Sequence, residues 1–506
     1  MPLPRRLLTA FRLPSEWWLA LILLLANAWF LFGFLRAIPY PVGDDPGLHT
    51  TLVGELLRRN TTKFEIPIFP QVHTPFPARS ATALLGWKIG HLFHLTDPLV
   101  ISIGLAAGLF ALSTLLVFWL AALLTGEPLA ALAAALFWGW AHWGQEVFWE
   151  GGYDQITSLP LYFGLLIALV YAYRKPRWPA FLAVGFFLAA LFKLHQLTFF
   201  VGLVTTATSG LLWAKTKLRL WPWSGLIAAT IIGLGLAFRF GGAYFPLIKT
   251  GIPINTLLSV GEGIHQVIPL LMIAGLVLLV TRYPTWVTGL ILVPILISQA
   301  GLLDFGFYPF RFNVYAVAAL ALLIAFALSW GMKYLRHTHA LLPLLAFLFV
   351  LMLTTPLQAR YDFNYRHYLT DQQTAPASII LDETYRGFLW IRDHLPADSN
   401  IAAPYKWGYY LAAVSGRKVT LNDAVGGDSR DNRYPYAQLV DRLYRTKDAH
   451  EAADLAHQAG VTHVFLDASF RQNPDRYPDY QLAKFADQNW FQPVYSGGRV
   501  VIYEVH

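Results

Sequence analysis

The chain has 506 residues, 56% of them hydrophobic and only 13% charged, with a mean hydropathy of +0.46. Soluble domains carry about 25% charged residues, so an ordinary soluble enzyme is excluded; the lack of any cysteine also excludes disulfides, thiolate metal sites and a cysteine nucleophile. The net charge of +8 sits mostly in short loops between apolar runs, which is a membrane-topology pattern and not a nucleic-acid footprint.

Runs of about 20 apolar residues read as membrane spans. Eleven are predicted, near 16–38, 98–124, 129–147, 156–173, 178–192, 197–213, 223–240, 265–281, 285–303, 312–331 and 340–357. The first is read as an uncleaved span. Arg5, Arg6 and Arg12 precede it; Arg174, Lys175 and Arg177, then Lys215, Lys217 and Arg219, then Arg282, then Lys333 and Arg336 follow later spans. Strict alternation puts all these clusters on one side, predicted to be cytoplasmic. The N-terminus is then inside a cytoplasmic membrane and the C-terminal region outside it.

The first outer piece, 39–97, opens with YPVGDDPGLHT (40–50). Behind its acids, Leu52, Val53, Leu56 and Leu57 share one helical face, opposite Glu55, Arg58 and Arg59. That spacing predicts a helix in the interface plane, and 78–95 predicts a second. The membrane domain is taken as 1–357, including this loop. From 358 to 506 polarity rises, and helix-like segments (383–395, 448–460) alternate with strand-like ones (400–405, 461–467, 499–505). That pattern predicts a small α/β domain.

Charge placement carries the functional signal. The stretches 99–124 and 285–303 hold no charge, whereas acids gather at the outer ends: Asp44 and Asp45, then Glu146, Glu150 and Asp154, then Glu262, then Asp304 beside Arg311. Lys193, His195 and Gln196 mark the outer turn between the fifth and sixth spans. A transporter would place ionisable groups near the midplane, so this layout fits chemistry at the outer surface better, on a substrate reached from the bilayer. A plainer reading stands beside each position. Asp44 and Asp45 end a span and cap the next helix, Asp154 caps the fourth span, and Arg311 anchors a span end in headgroups. Lys193 and His195 serve a local turn, and His49 is an interface histidine.

Four of these stretches are similar, in order and in side, to motifs of the oligosaccharyltransferase catalytic subunit and, more broadly, of the GT-C membrane glycosyltransferases. GDDP (43–46) resembles the acidic motif after span one, and GGYDQI (151–156) resembles a second motif of the type Gly-Ser-Tyr-Asp-Asn-Glu. SVGE (259–262) resembles a Ser-Val-Ser-Glu motif, and the Trp-Gly-Tyr core of 404–423 resembles part of a Trp-Trp-Asp-Tyr-Gly element.

The resemblance implies a polytopic α-helical membrane protein of GT-C type, with about eleven transmembrane helices and a small extracytoplasmic C-terminal α/β domain. It implies inverting transfer of a sugar or glycan from a polyprenyl phosphate or pyrophosphate donor. The acceptor would be an extracytoplasmic glycan, lipid or protein. Asp45 would be the main catalytic carboxylate, with Asp44 as its helper. Asp45, Asp154 and Glu262, with His49 as a further candidate, would hold Mg²⁺ or Mn²⁺, hard cations that prefer carboxylate oxygens. Arg311, with Lys193 and His195, would hold the donor phosphate, which suits the planar fork of a guanidinium.

Two departures bear on the metal. Gly43 stands where the family often has an acid, and Ile156 stands two residues after Asp154 where it has another. A metal-independent enzyme using one aspartate and basic residues is therefore a second expectation. From a different class, the alternative is a non-catalytic GT-C-like membrane protein that binds lipid-linked glycan. Membrane lipid is a partner on every reading, and nucleic acid on none.

Overall fold

The computed structural model describes residues 45–76, 80–140, 152–218, 267–298, 309–335, 380–423, 430–468 and 480–506. Asp44, Glu146, Glu150, Glu262 and Asp304 lie outside them, as do the predicted spans 16–38, 223–240 and 340–357.

Two helices come first, α1 (Asp45–Arg59) and α2 (Ala81–Phe93). Eight apolar helices follow: α3 (Pro98–Thr125), α4 (Pro128–Trp140), α5 (Tyr153–Arg174), α6 (Trp178–Leu194), α7 (Gln196–Leu218), α8 (Val267–Arg282), α9 (Thr285–Ser298) and α10 (Asn313–Leu335). They match the eight predicted spans that fall among the described residues. Four of them contain stretches long and apolar enough to cross a bilayer: Pro98–Thr125, Tyr153–Arg174, Gln196–Lys215 and Asn313–Lys333. α4, α6, α8 and α9 supply shorter apolar stretches. The starts are set by ordinary helix chemistry. Asp97 Oδ1 accepts from the Leu99 amide at 2.8 Å to cap α3, and proline opens both α3 and α4, where no amide proton is missed.

The chain divides into two compact units. Among the described residues, one gathers 107–140, 154–218, 267–298 and 309–335. At its centre is α10, whose membrane stretch is 89% buried inside the protein. Its many alanines allow close approach: Gly275 of α8 sits directly on the Leu323 backbone.

The other gathers 45–76, 80–106, 152–153, 380–423, 430–468 and 480–506, so the described part of the first outer loop groups with the C-terminal fold. That fold adds α11 (Asp382–His394), β1 (Asn400–Ala403), α12 (Tyr405–Ser415), β2 (Lys418–Leu421), α13 (Tyr434–Arg445), α14 (Ala449–Gln458), β3 (His463–Asp467), β4 (Phe491–Gly497) and β5 (Val500–Val505). The sheet order is β2-β1-β3-β5-β4, with β2, β1 and β3 parallel and β5 antiparallel to both β3 and β4. The predicted α/β character is thus observed. β2 would be an open edge, but the outer loop covers it: the Phe69 amide donates to the Val419 carbonyl and the Val419 amide to the Pro67 carbonyl, both at 2.8 Å. A buried ion pair then closes the core from β3. Asp467 accepts from Arg499 Nη2 at 2.7 Å and from Thr384 Oγ1 at 2.8 Å, with its own side chain wholly enclosed. Removing one partner of such a pair strands a charge, so Arg499→Ala should cost about 3–5 kcal/mol, read as a fall in thermal midpoint.

The interface helix predicted behind the GDDP acids is corrected. α1 is enclosed by protein: Leu52, Val53 and Leu56 pack on α2, and Glu55, placed by periodicity on the polar face, is only 1% exposed. Arg58 and Arg59, at 2.5 and 2.6 Å, neutralise it in place. The opposite face of α1 seats on α12. Thr51 Oγ1 donates to the Tyr409 carbonyl at 2.7 Å, and Arg58 Nη1 donates to the Ala413 carbonyl at 2.7 Å. In contrast, α2 ends in two exposed apolar side chains, Leu92 (72%) and Phe93 (64%), a few residues before α3 begins.

Candidate functional site

Three helices of the membrane unit begin at one place. α5 starts at Tyr153, α7 at Gln196, and α10 at Asn313 behind a 3₁₀ turn (Pro309–Phe312). Their first turns are joined by buried polar side chains. Gln155 Nε2 donates to the Arg311 carbonyl at 2.6 Å and to the Tyr315 hydroxyl at 3.4 Å. Tyr315 is in turn hydrogen-bonded to Thr198 Oγ1, which lies 2.6 Å from Ser158 Oγ and 2.6 Å from His195 Nδ1. Gln155, Ser158, Thr198 and Tyr315 are all buried, while Asp154, His195 and Arg311 stand half-buried around them.

Each of these residues has a local reason for its place. His195 is the residue between α6 and α7, and its Nδ1 accepts the Thr198 amide at 3.2 Å, an N-cap for α7. Asp154 lies in the first turn of α5, where a carboxylate complements the helix dipole. Arg311 lies in the 3₁₀ turn that leads into α10. Lys193 is exposed on the last turn of α6. Three helix N-termini with a guanidinium beside them form an arrangement suited to an anion.

The hydrogen bonds thus join His195 and the Arg311 backbone through Thr198, Tyr315 and Gln155, with Asp154 preceding Gln155 in the chain and Lys193 two residues before His195. Asp45 opens α1 in the other unit, and its backbone is described while its side chain is not. His49, one turn on, is half-buried with its ring 6.5 Å from that of Tyr153, the residue preceding Asp154 in the chain. Among the described residues no three histidine or acidic side chains cluster as metal ligands. Of the carboxylates expected to hold Mg²⁺ or Mn²⁺, only the Asp154 side chain is described. The aromatic residues of the Trp-Gly-Tyr segment point to a packing role. Trp407, Tyr409 and Tyr410 are buried in the core of the C-terminal fold, and Tyr409 abuts Gly47 of α1.

Gln155, Ser158, Thr198 and Tyr315 were not among the residues expected from sequence. Their signal was present: each is a polar side chain within the first turns of an apolar helix, at an end predicted to face outward.

No family model and no curated protein matches the chain. Solved structures do. The Archaeoglobus fulgidus oligosaccharyltransferase, crystallised with a tethered acceptor peptide, aligns over 98% of this chain and 75% of its own, with TM-score 0.60 and 13% identity. ArnT from Cupriavidus metallidurans, bound to undecaprenyl phosphate, aligns over 97% of this chain and 98% of its own, with TM-score 0.52 and 12% identity. The chain has the GT-C fold. The mycobacterial arabinofuranosyltransferase AftD shares it as well, over 97% of this chain and 41% of its own, with TM-score 0.56 and 15% identity. All three neighbours are glycosyltransferases of GT-C type, and the chain is a multi-pass membrane protein on that fold.

Proposed function

We propose that this GT-C chain is an inverting glycosyltransferase that takes a sugar or glycan from a polyprenyl phosphate or pyrophosphate donor. The acceptor is a glycan, lipid or protein on the outer face of a cytoplasmic membrane, with the N-terminus inside and the C-terminal fold outside. The observation carrying this reading is the junction of three helix starts around Arg311 and His195. ArnT, a neighbour in fold, was solved with undecaprenyl phosphate, and the archaeal oligosaccharyltransferase was solved with a dolichol-phosphate.

On this reading Arg311, His195 and Lys193 hold the donor phosphate, and the acceptor's nucleophilic atom attacks the anomeric carbon from the opposite face. The carbon–oxygen bond to phosphate breaks as the new bond forms. The electron pair leaves with the phosphate oxygen, whose growing charge the guanidinium stabilises. Asp45, with Asp44 beside it, takes the acceptor's proton. Asp45, Asp154 and Glu262, with His49, are the groups that would hold Mg²⁺ or Mn²⁺, which would add positive charge at the leaving phosphate. Gly43 and Ile156, where acids are expected, favour the metal-independent version.

The test uses purified full-length protein in nanodiscs, polyprenyl-linked donors with a radiolabelled sugar, and membrane extract as acceptor. Label is expected to pass from the polyprenyl-linked donor to the acceptor, with free polyprenyl phosphate or pyrophosphate appearing in equal amount. A chelator is expected to leave the rate within about twofold; abolition rescued by Mg²⁺ or Mn²⁺ would install the metal. Donor binding without any transfer would favour the lipid-glycan-binding alternative.

A further inference from the structure

We infer that Thr198 and Tyr315 are positioning residues that fix His195 in the tautomer with its proton on Nε2, so that this nitrogen donates to the donor phosphate. The inference rests on the phosphate site proposed above.

The hydrogen-bond donors around Nδ1 fix where its proton is not. A backbone amide can only donate, so the Thr198 N–H aimed at His195 Nδ1 makes that nitrogen an acceptor. The Thr198 hydroxyl, 2.6 Å from the same nitrogen, must then give its single proton to Nδ1. Its oxygen is left to accept, and the buried hydroxyls of Tyr315 and Ser158 both reach it. Tyr315 has its own upstream donor, since the Gln155 amide N–H points at the Tyr315 oxygen. The chain therefore runs one way: Gln155 N–H to Tyr315 O–H to Thr198 O–H to Nδ1. Ser158 also reaches the Gln155 carbonyl at 2.6 Å, so its proton is shared while the main line keeps its direction.

Buried hydrogen bonds arranged in series polarise one another, and here they all end on one ring nitrogen. Nε2 is left as the nitrogen that carries a proton. The same Gln155 amide holds the Arg311 carbonyl, so one side chain sets the backbone of the guanidinium and the tautomer of the imidazole. A packing-only role would not require Thr198 to be a hydroxyl. Valine has the same shape.

The experiment measures undecaprenyl phosphate affinity of the full-length chain in nanodiscs, with thermal midpoint recorded for each variant. Thr198→Val is expected to weaken binding about threefold to tenfold, the worth of one hydrogen bond. Thr198→Ser, which restores the hydroxyl, is expected to recover most of that loss. His195→Gln, whose amide nitrogen reaches the Nε2 position, should bind more tightly than His195→Asn, whose amide lies at Nδ1. In the His195→Gln background, Thr198→Val should add no further loss, because no tautomer remains to be fixed. Equal binding by Thr198→Val and wild type, or the same loss in both backgrounds, overturns the inference. Unchanged binding in both His195→Gln and His195→Asn would instead overturn the phosphate site on which it rests.

Discussion

Asp45→Asn is expected to slow sugar transfer by about 10²- to 10⁴-fold, the usual loss when a positioned acid–base group is removed, while the protein still folds. The substitution separates two roles that share one position. Asp45 is the first residue of α1, where any carboxylate also favours the helix dipole. Asparagine serves helix starts nearly as well as aspartate, so the structural cost of the change is a few tenths of a kcal/mol up to about 1 kcal/mol. A large fall in rate with a nearly constant thermal midpoint therefore reports chemistry. Equal turnover by both proteins would remove Asp45 from the mechanism.

The second large effect follows from how α1 is held. A Cβ placed on Gly54 would lie 2.6 Å from the Ala413 carbonyl oxygen, and one on Gly47 would lie 2.7 Å from Tyr409 Cβ. Backbone oxygen at the end of α12 cannot swing away as a side-chain tip can. Gly54→Ala should therefore push α1 off α12, strain the Thr51 and Arg58 hydrogen bonds, and cost about 1–3 kcal/mol by overpacking. Gly108→Ala is the control. Its Cβ meets nothing within 4 Å, so the same chemical change in α3 is expected to be neutral or mildly stabilising. Because α1 begins at Asp45, Gly54→Ala should also lower the transfer rate, and Gly108→Ala should not. Equal thermal midpoints for the two variants would refute the tight α1–α12 seat.

Much of this was legible in the residues, and the failures have particular causes. The apolar runs and the positive loops located eight helices because lipid leaves a hydrocarbon span few alternatives. His463–Asp467 and Val500–Val505 were readable as strands from their β-branched and aromatic content, whereas Lys418–Leu421, four residues long, has too short a pattern and is set by pairing with β1 and the outer loop. For α1 the periodicity identified the apolar face correctly. What it could not reveal was a second covering surface, because two arginines three and four residues after Glu55 make a buried acid look solvated. The hydroxyl chain around Thr198 has no periodic signature at all. It joins residues 155, 198 and 315, which only the packing of three helices brings together.

The most direct measurement is an experimental structure of the full-length chain with undecaprenyl phosphate bound. The phosphate is expected at the junction of α5, α7 and α10, within hydrogen-bond distance (about 2.7–3.2 Å) of the Arg311 guanidinium and of His195 Nε2. A phosphate bound elsewhere, with both side chains out of its reach, would contradict it.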